Sequence, residues 1–209
     1  NDSTGFGLFN KWITKFWNKS VSLILLMEAT GVYHERLAYF LSDQGYRVSI
    51  LLPKRAKDFS KTIKVKSIND KIASQYLAIM GLEKKLDLWL KPQKQYLDLK
   101  QLTREKERLQ QQITQTKNQL HAEKSCMYPH ANTLKRLNQH LKLLEKQRTQ
   151  ILAEIRQTVK EDSVLNEKVK KIVTIPGVGL LTAAVVIGET DGFSNVQHKR
   201  QLVSYAGYD

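Results

Sequence analysis

Residues 23–35 read LILLMEATGVYHE, and the order of types within them decides the fold of the first third of the chain. Five large apolar residues, Leu23 to Met27, run without interruption into Glu28, and Ala29, Thr30 and Gly31 follow. A run so short and so apolar predicts a strand buried on both faces and closed by a turn. Glu28 stands at its end, where burial would oppose ionisation. Either it is punctuation at an exposed tip, or a proton or a metal ion needs a carboxylate there.

Outward from this strand, GVYHERLAYFLSDQG places Leu37, Phe40 and Leu41 on one helical face, with Gly45 at the position just past the helix end. YRVSILLP then predicts a second apolar strand, stopped by Pro53. Strand, helix and strand with a helix-length crossover make a βαβ unit and a parallel pair. In open parallel sheets functional residues gather beyond the carboxyl ends of the strands, which is where Glu28 falls.

Composition narrows the partners. Lys and Arg number 34 against 20 Asp and Glu in 209 residues, a formal net charge of +14. An excess of that size favours a polyanion, most commonly nucleic acid. The one cysteine, Cys126, excludes an intrachain disulfide and fits a reducing cytoplasm. No stretch approaches the roughly 20 apolar residues of a membrane helix. The basic excess concentrates in PKRAKDFSKTIKVKSINDK, where Lys54, Arg55, Lys57, Lys61, Lys64, Lys66 and Lys71 are candidate phosphate contacts on a solvated loop-and-helix patch. The same run also fits an ordinary charged surface. Asp70 opens an amphipathic helix through Ile72, Tyr76, Leu77 and Met80. It can serve as an N-cap or interact favourably with the helix dipole; the alternative is a second carboxylate facing Glu28 across a hard cation such as Mg²⁺.

Residues 93–165 are periodic in a different way. Leu99, Leu102, Leu109, Ile113 and Leu120 hold heptad positions, with Lys106 and Thr116 as polar interruptions. After SCMYPH the series resumes with Leu134, Leu137, Leu141, Leu144, Ile151 and Ile155, interrupted by Arg148. This predicts a long coiled-coil hairpin, a dimerising coiled coil, or both, with Pro129 opening the second helix. From residue 166 the chain carries TIPGVG ahead of LLTAAVVIGE. Gly177 and Gly179 would let backbone N–H groups approach a phosphate in the manner of a helix-hairpin-helix element; an ordinary interhelical turn has the same letters.

As an ordered set these blocks resemble a family. MEATGVYHERLAYFLSDQGYRVSILLPKRAKDFSKTIKVKSINDKIA resembles the first domain of the DEDD-type insertion-sequence transposases, relatives of the Piv invertases; IPGVGLLTAAVVIGETDGF and KRQLVSYAG resemble the opening of their second domain. The resemblance implies an α/β, RNase H/RuvC-like domain at 1–92 lacking its first strand, an all-α coiled-coil region at 93–165, and the start of a C-terminal domain at 166–209. It also implies a DNA recombinase with Mg²⁺ held by four acids, a serine nucleophile, and an element-encoded guide RNA that reads DNA by pairing. Glu28 matches the second acid and Asp70 the third. The fourth should fall three residues after Asp70, where this chain has Ala73; the first acid lies upstream of Asn1 in the family pattern and the serine beyond Asp209. Ser204 is not its counterpart. The expectation is a truncated or decayed transposase copy that holds DNA and guide RNA, assembles through its coiled coil, sits with the bacterial nucleoid in the cytoplasm, and cleaves poorly. A non-catalytic nucleic-acid-binding module and a coiled-coil interaction protein remain as alternatives.

Overall fold

The strand run that ends in Glu28 is β1, Ile24–Glu28, and it pairs in parallel with β2, Arg47–Leu51, in the register Ile24 to Arg47 through Glu28 to Leu51. This is a computed structural model, and it describes residues 2–63, 69–194, 196 and 198–208. Two compact units divide the chain, Asn1–Lys91 and Pro92–Asp209.

In the first unit strand alternation sorts side chains between two helical layers. Leu25 and Met27, with Val48 and Ile50, face α1 (Ser3–Phe16) and α2 (Glu35–Asp43). Leu26 and Leu51 face α3 (Pro53–Thr62) and α4 (Asp70–Glu83). Ala38 and Leu41 of α2 are fully buried, so the crossover helix packs on the sheet it connects. Gly45 closes α2 in the left-handed region, φ 81°, which favours glycine. Beyond α4 the chain returns along the outer side of β2: Trp89 donates its N–H to the Val48 carbonyl at 2.8 Å, and the buried Ser49 hydroxyl donates to the Asp87 carbonyl at 2.8 Å.

Two local expectations are refined, and one helix is new. Pro53 does not merely stop β2; it opens α3, where its missing N–H costs nothing. Residues 54–62 of the loop-and-helix patch are all helical, and Ala56 and Phe59 anchor α3 in the core beside Leu51 while its cations stay exposed. Helix α1 carries no counterpart among the sequence expectations; it packs through Ile13, which is 4 % exposed, while Trp12 and Phe16 stay outside at 58 % and 66 %.

The second unit is helical. α5 (Lys94–Ser125) and α6 (Ala131–Glu161) run beside each other as a hairpin, followed by α7 (Ser163–Val173), α8 (Leu180–Glu189) and the short α9 (Lys199–Tyr205). Leu99, Leu109, Ile113 and Leu120 of the heptad series are buried, as are Leu144, Ile151 and Ile155 opposite. The polar interruptions are accommodated locally: Arg148 reaches Gln110 at 3.1 Å, and Thr116 is buried. Pro129 lies in the connecting loop; His130, not Pro129, precedes the first helical residue, and its ring nitrogen caps the Thr133 N–H. α7 and α8 share one core with α5 and α6 through Leu165, Val169, Ala183 and Ile187. Small residues let α8 approach α5 so closely that a Cβ on Gly188 would lie 2.9 Å from the Lys100 backbone nitrogen.

An ion-pair cluster fastens the same contact. Glu189, at the end of α8, accepts from Arg104 at 2.6 and 2.9 Å, and Lys100 stands 3.4 Å away. Burial raises the Glu189 pKa, but the Arg104 hydrogen bonds and the Lys100 charge outweigh it, and the net shift is downward. A depressed carboxylate stabilises the fold above its unfolded pKa, about 4.3, and that contribution is lost as pH falls through the lower folded value. Glu189→Gln is therefore expected to destabilise the chain at neutral pH, with the difference from wild type closing below about pH 4 in urea titrations. A constant difference across that range would remove the ion cluster from the account. Among the described residues no helix is long and apolar enough to cross a membrane.

Candidate metal and nucleic-acid site

Glu28 is the last residue of β1 and is partly buried. Its backbone is fixed on both sides: the next N–H, of Ala29, donates to the Leu51 carbonyl at 2.8 Å, and the N–H of Thr30 donates to the Glu28 carbonyl at 3.0 Å. Gly31, at φ 54°, then turns the chain away. Strand alternation gives Glu28 the face of Leu26, the face covered by α4. On that helix Tyr76 is 5 % exposed, and its phenol is held above its ordinary pKa by burial first and by the Glu28 carboxylate second. Tyr76 reads in the sequence as one more apolar-face residue; only packing shows it in the field of Glu28.

Asp70 is the first residue of α4 and is exposed. The cap is its neighbour Asn69, whose side chain accepts the Ile72 N–H at 2.9 Å, so Asp70 is free of that duty. Ala73 lies one turn on, along the same face as Asp70, and packs in the apolar cluster with Tyr76 and Met80. Glu28 and Asp70 thus belong to two elements that pack on each other, β1 and α4. Among the described residues no group of three or more His, Cys, Asp or Glu side chains converges as a metal site. Magnesium wants several oxygen ligands in near-octahedral array. Glu28 and Asp70 alone do not supply that set, and Ala73 presents a methyl group one turn from Asp70.

The basic candidates fall on α3 and α4 where they are described. Lys54, Arg55, Lys57 and Lys61 are all exposed on α3. Lys61 pairs with Asp58 at 2.8 Å and Arg55 with Asp87 at 3.5 Å; Lys54 and Lys57 have no ion pair among the described residues. The Asp58 carboxyl sits below its usual range, chiefly through the Lys61 hydrogen bond and charge, with Lys54 and Lys57 adding to it. Exposed pairs of this kind contribute little, so the cations stay available. Lys71 is exposed in the first turn of α4. Lys64 and Lys66 lie outside the described residues.

Gly177 and Gly179 belong to the other unit, in the turn between α7 and α8. Gly177 has φ 83°, and open space surrounds it. Gly179 is the N-cap of α8 with no side-chain hydrogen bond to the helix, so the first N–H groups of α8 have no side-chain partner there. Lys170 and Lys171 end α7 just before the turn.

Comparison with known proteins gives these elements a common frame. Residues 1–123 match the DEDD transposase family of IS110, and residues 169–209 match the family described as transposase IS116/IS110/IS902. The chain belongs to this transposase family. It is similar to the pilin gene-inverting protein of Moraxella lacunata, 28 % identical over 210 residues that cover 99 % of this chain and 62 % of the relative. The pilin gene-inverting protein of Moraxella bovis is 27 % identical over the same shares. The chain spans 62 % of the length of these curated relatives.

Proposed function

We propose that this chain is a DNA-binding transposase of an insertion sequence in which strand cleavage is impaired. The carrying observation is the placement of Glu28 at the carboxyl end of a parallel strand and of Asp70 at the start of the helix packed on that strand, in a chain that matches the DEDD transposase family. On this reading residues 1–92 are the RNase H-like part and 93–165 a coiled coil that joins copies. Residues 166–209 open a second domain whose Gly177–Gly179 turn grips a phosphate backbone in helix-hairpin-helix fashion. The α3 cations, with Lys64, Lys66 and Lys71, hold DNA and the guide RNA of the element, in the nucleoid. Mg²⁺ would be the metal for Glu28 and Asp70. With Ala73 in place of one acid a ligand position would fall to water, and positioning for in-line displacement would suffer.

The test is cleavage of a supercoiled plasmid in Mg²⁺ or Mn²⁺, with and without added element RNA. Wild type is expected to nick slowly. Ala73→Asp, which adds a third acid beside Asp70, is expected to raise the rate by about tenfold or more, the usual scale for a positioning defect repaired. Glu28→Gln should abolish nicking in both backgrounds while leaving DNA binding intact. A rate indifferent to both substitutions would remove the two-acid site from the proposal.

The pilin gene-inverting relatives favour a second form of the same chemistry, inversion of a DNA segment instead of its movement. A reporter segment flanked by inverted element ends separates inversion from insertion.

A further inference from the structure

The apex of the α5–α6 hairpin carries an exposed aromatic among unpaired cations. Every residue from Lys124 to Asn132 is exposed, and within the loop Met127 and Tyr128 are each 83 % exposed. Single exposed apolar residues are ordinary on protein surfaces. Here two large ones are adjacent at a helix–helix connection, where small turn formers would serve. The Tyr128 ring stacks on no other ring, and its hydroxyl has no hydrogen bond among the described residues.

The charge on the helix ends that flank this loop is one-sided. Lys124 lies in the last turn of α5, and Lys135 and Arg136 in the second turn of α6. None of the three has an ion pair among the described residues; Arg136 donates only to the Thr133 hydroxyl, at 3.2 Å. Glu123 is the one acid between His121 and Arg136, and it is occupied in accepting the His130 N–H at 2.8 Å. An open aromatic face flanked by free cations suits a strand that offers both base faces and phosphates. A duplex offers phosphates but hides its base faces, whereas an unpaired strand exposes them.

We propose that the hairpin apex is a contact site for single-stranded nucleic acid, with one base stacked on Tyr128 and the adjoining phosphates held by Lys124, Lys135 and Arg136. Its residues are different ones from the α3 cations and from the Gly177–Gly179 turn, and it rests on the reading of this chain as a nucleic-acid binder.

The only cysteine supplies the test, since Cys126 is exposed in the same loop. The chain is labelled there with a benzophenone maleimide and irradiated with oligouridylate, oligothymidylate or a mixed-sequence duplex. The expected result is strong cross-linking to one or both single strands and weak cross-linking to the duplex, and the two single-strand arms tell RNA from DNA. On unlabelled protein, Tyr128→Ala is expected to weaken single-strand affinity roughly tenfold and leave duplex affinity unchanged. Replacing Lys124, Lys135 and Arg136 by Ser should lower the single-strand salt slope by about 2. Cross-links confined to a second copy of the chain would overturn the proposal in favour of a protein contact. So would a Tyr128→Ala variant with wild-type affinity for both single strands. A chain that binds none of the three probes overturns the functional reading as well, which separates the two failures.

Discussion

Alanine at Gly192 is expected to cost the second unit about 2–5 kcal/mol, the sum of a left-handed backbone penalty and an overpacking penalty. Gly192 has φ 64°, and a Cβ there would lie 2.4 Å from the Tyr96 ring carbon that bears the hydroxyl. That hydroxyl cannot simply swing aside, because it accepts from the Lys168 ammonium at 2.8 Å, and the same ammonium donates to the Gly192 carbonyl at 2.8 Å. Gly188→Ala isolates the steric part. Its backbone is helical, so only the clash with Lys100 operates, and about 1–3 kcal/mol is expected. Urea titration of the whole chain reads both. If either variant stays within about 0.5 kcal/mol of wild type, α8 is not seated against α5 as closely as described.

The second large effect concerns binding. Replacing Lys54, Arg55, Lys57 and Lys61 together by Ala should reduce affinity for duplex DNA about 10²–10³-fold near 0.1 M salt. The slope of log affinity against log salt should fall by about 3 to 4, near one unit for each phosphate contact released. Stability should change little, because all four side chains are exposed and the two ion pairs among them are surface pairs. The two readouts therefore move independently. Unchanged slope with intact folding would take the α3 cations out of the binding surface. A fall in affinity with no change in slope would point to a lost shape contact instead.

The sequence made some of this legible and hid the rest for identifiable reasons. β1, α2 and β2 follow from apolar runs and a glycine stop, because each is decided by residues within one element. The burial of Leu99, Leu109, Ile113 and Leu120 in α5 and of Leu144, Ile151 and Ile155 in α6 follows in the same way, from spacing, while Leu102, Leu134, Leu137 and Leu141 are only partly buried. What depends on the approach of distant segments did not show. Phe59 looked like one apolar residue among lysines, and only its contact with Leu51 makes α3 a packed helix. Tyr76 looked like core, and the position of Glu28 gives it an electrostatic neighbour. Glu189 had the same local signature as Glu28, a carboxylate at the end of an apolar run, yet structure gives it Arg104 and Lys100 and a fastening role. The letters alone do not separate these two glutamates; their partners do.

The hairpin also has a mechanical consequence. α5 has 32 residues, so it is a rod of about 48 Å at 1.5 Å per residue. Its foot is gripped where Gly188 and Glu189 meet Lys100 and Arg104, less than three turns from its first residue. The hairpin apex stands about 32–38 Å beyond that grip, so a tilt of the hairpin by about ten degrees there would move the apex by about 6 Å. Any small adjustment at the grip would thus be magnified to nearly the length of a nucleotide step at Tyr128.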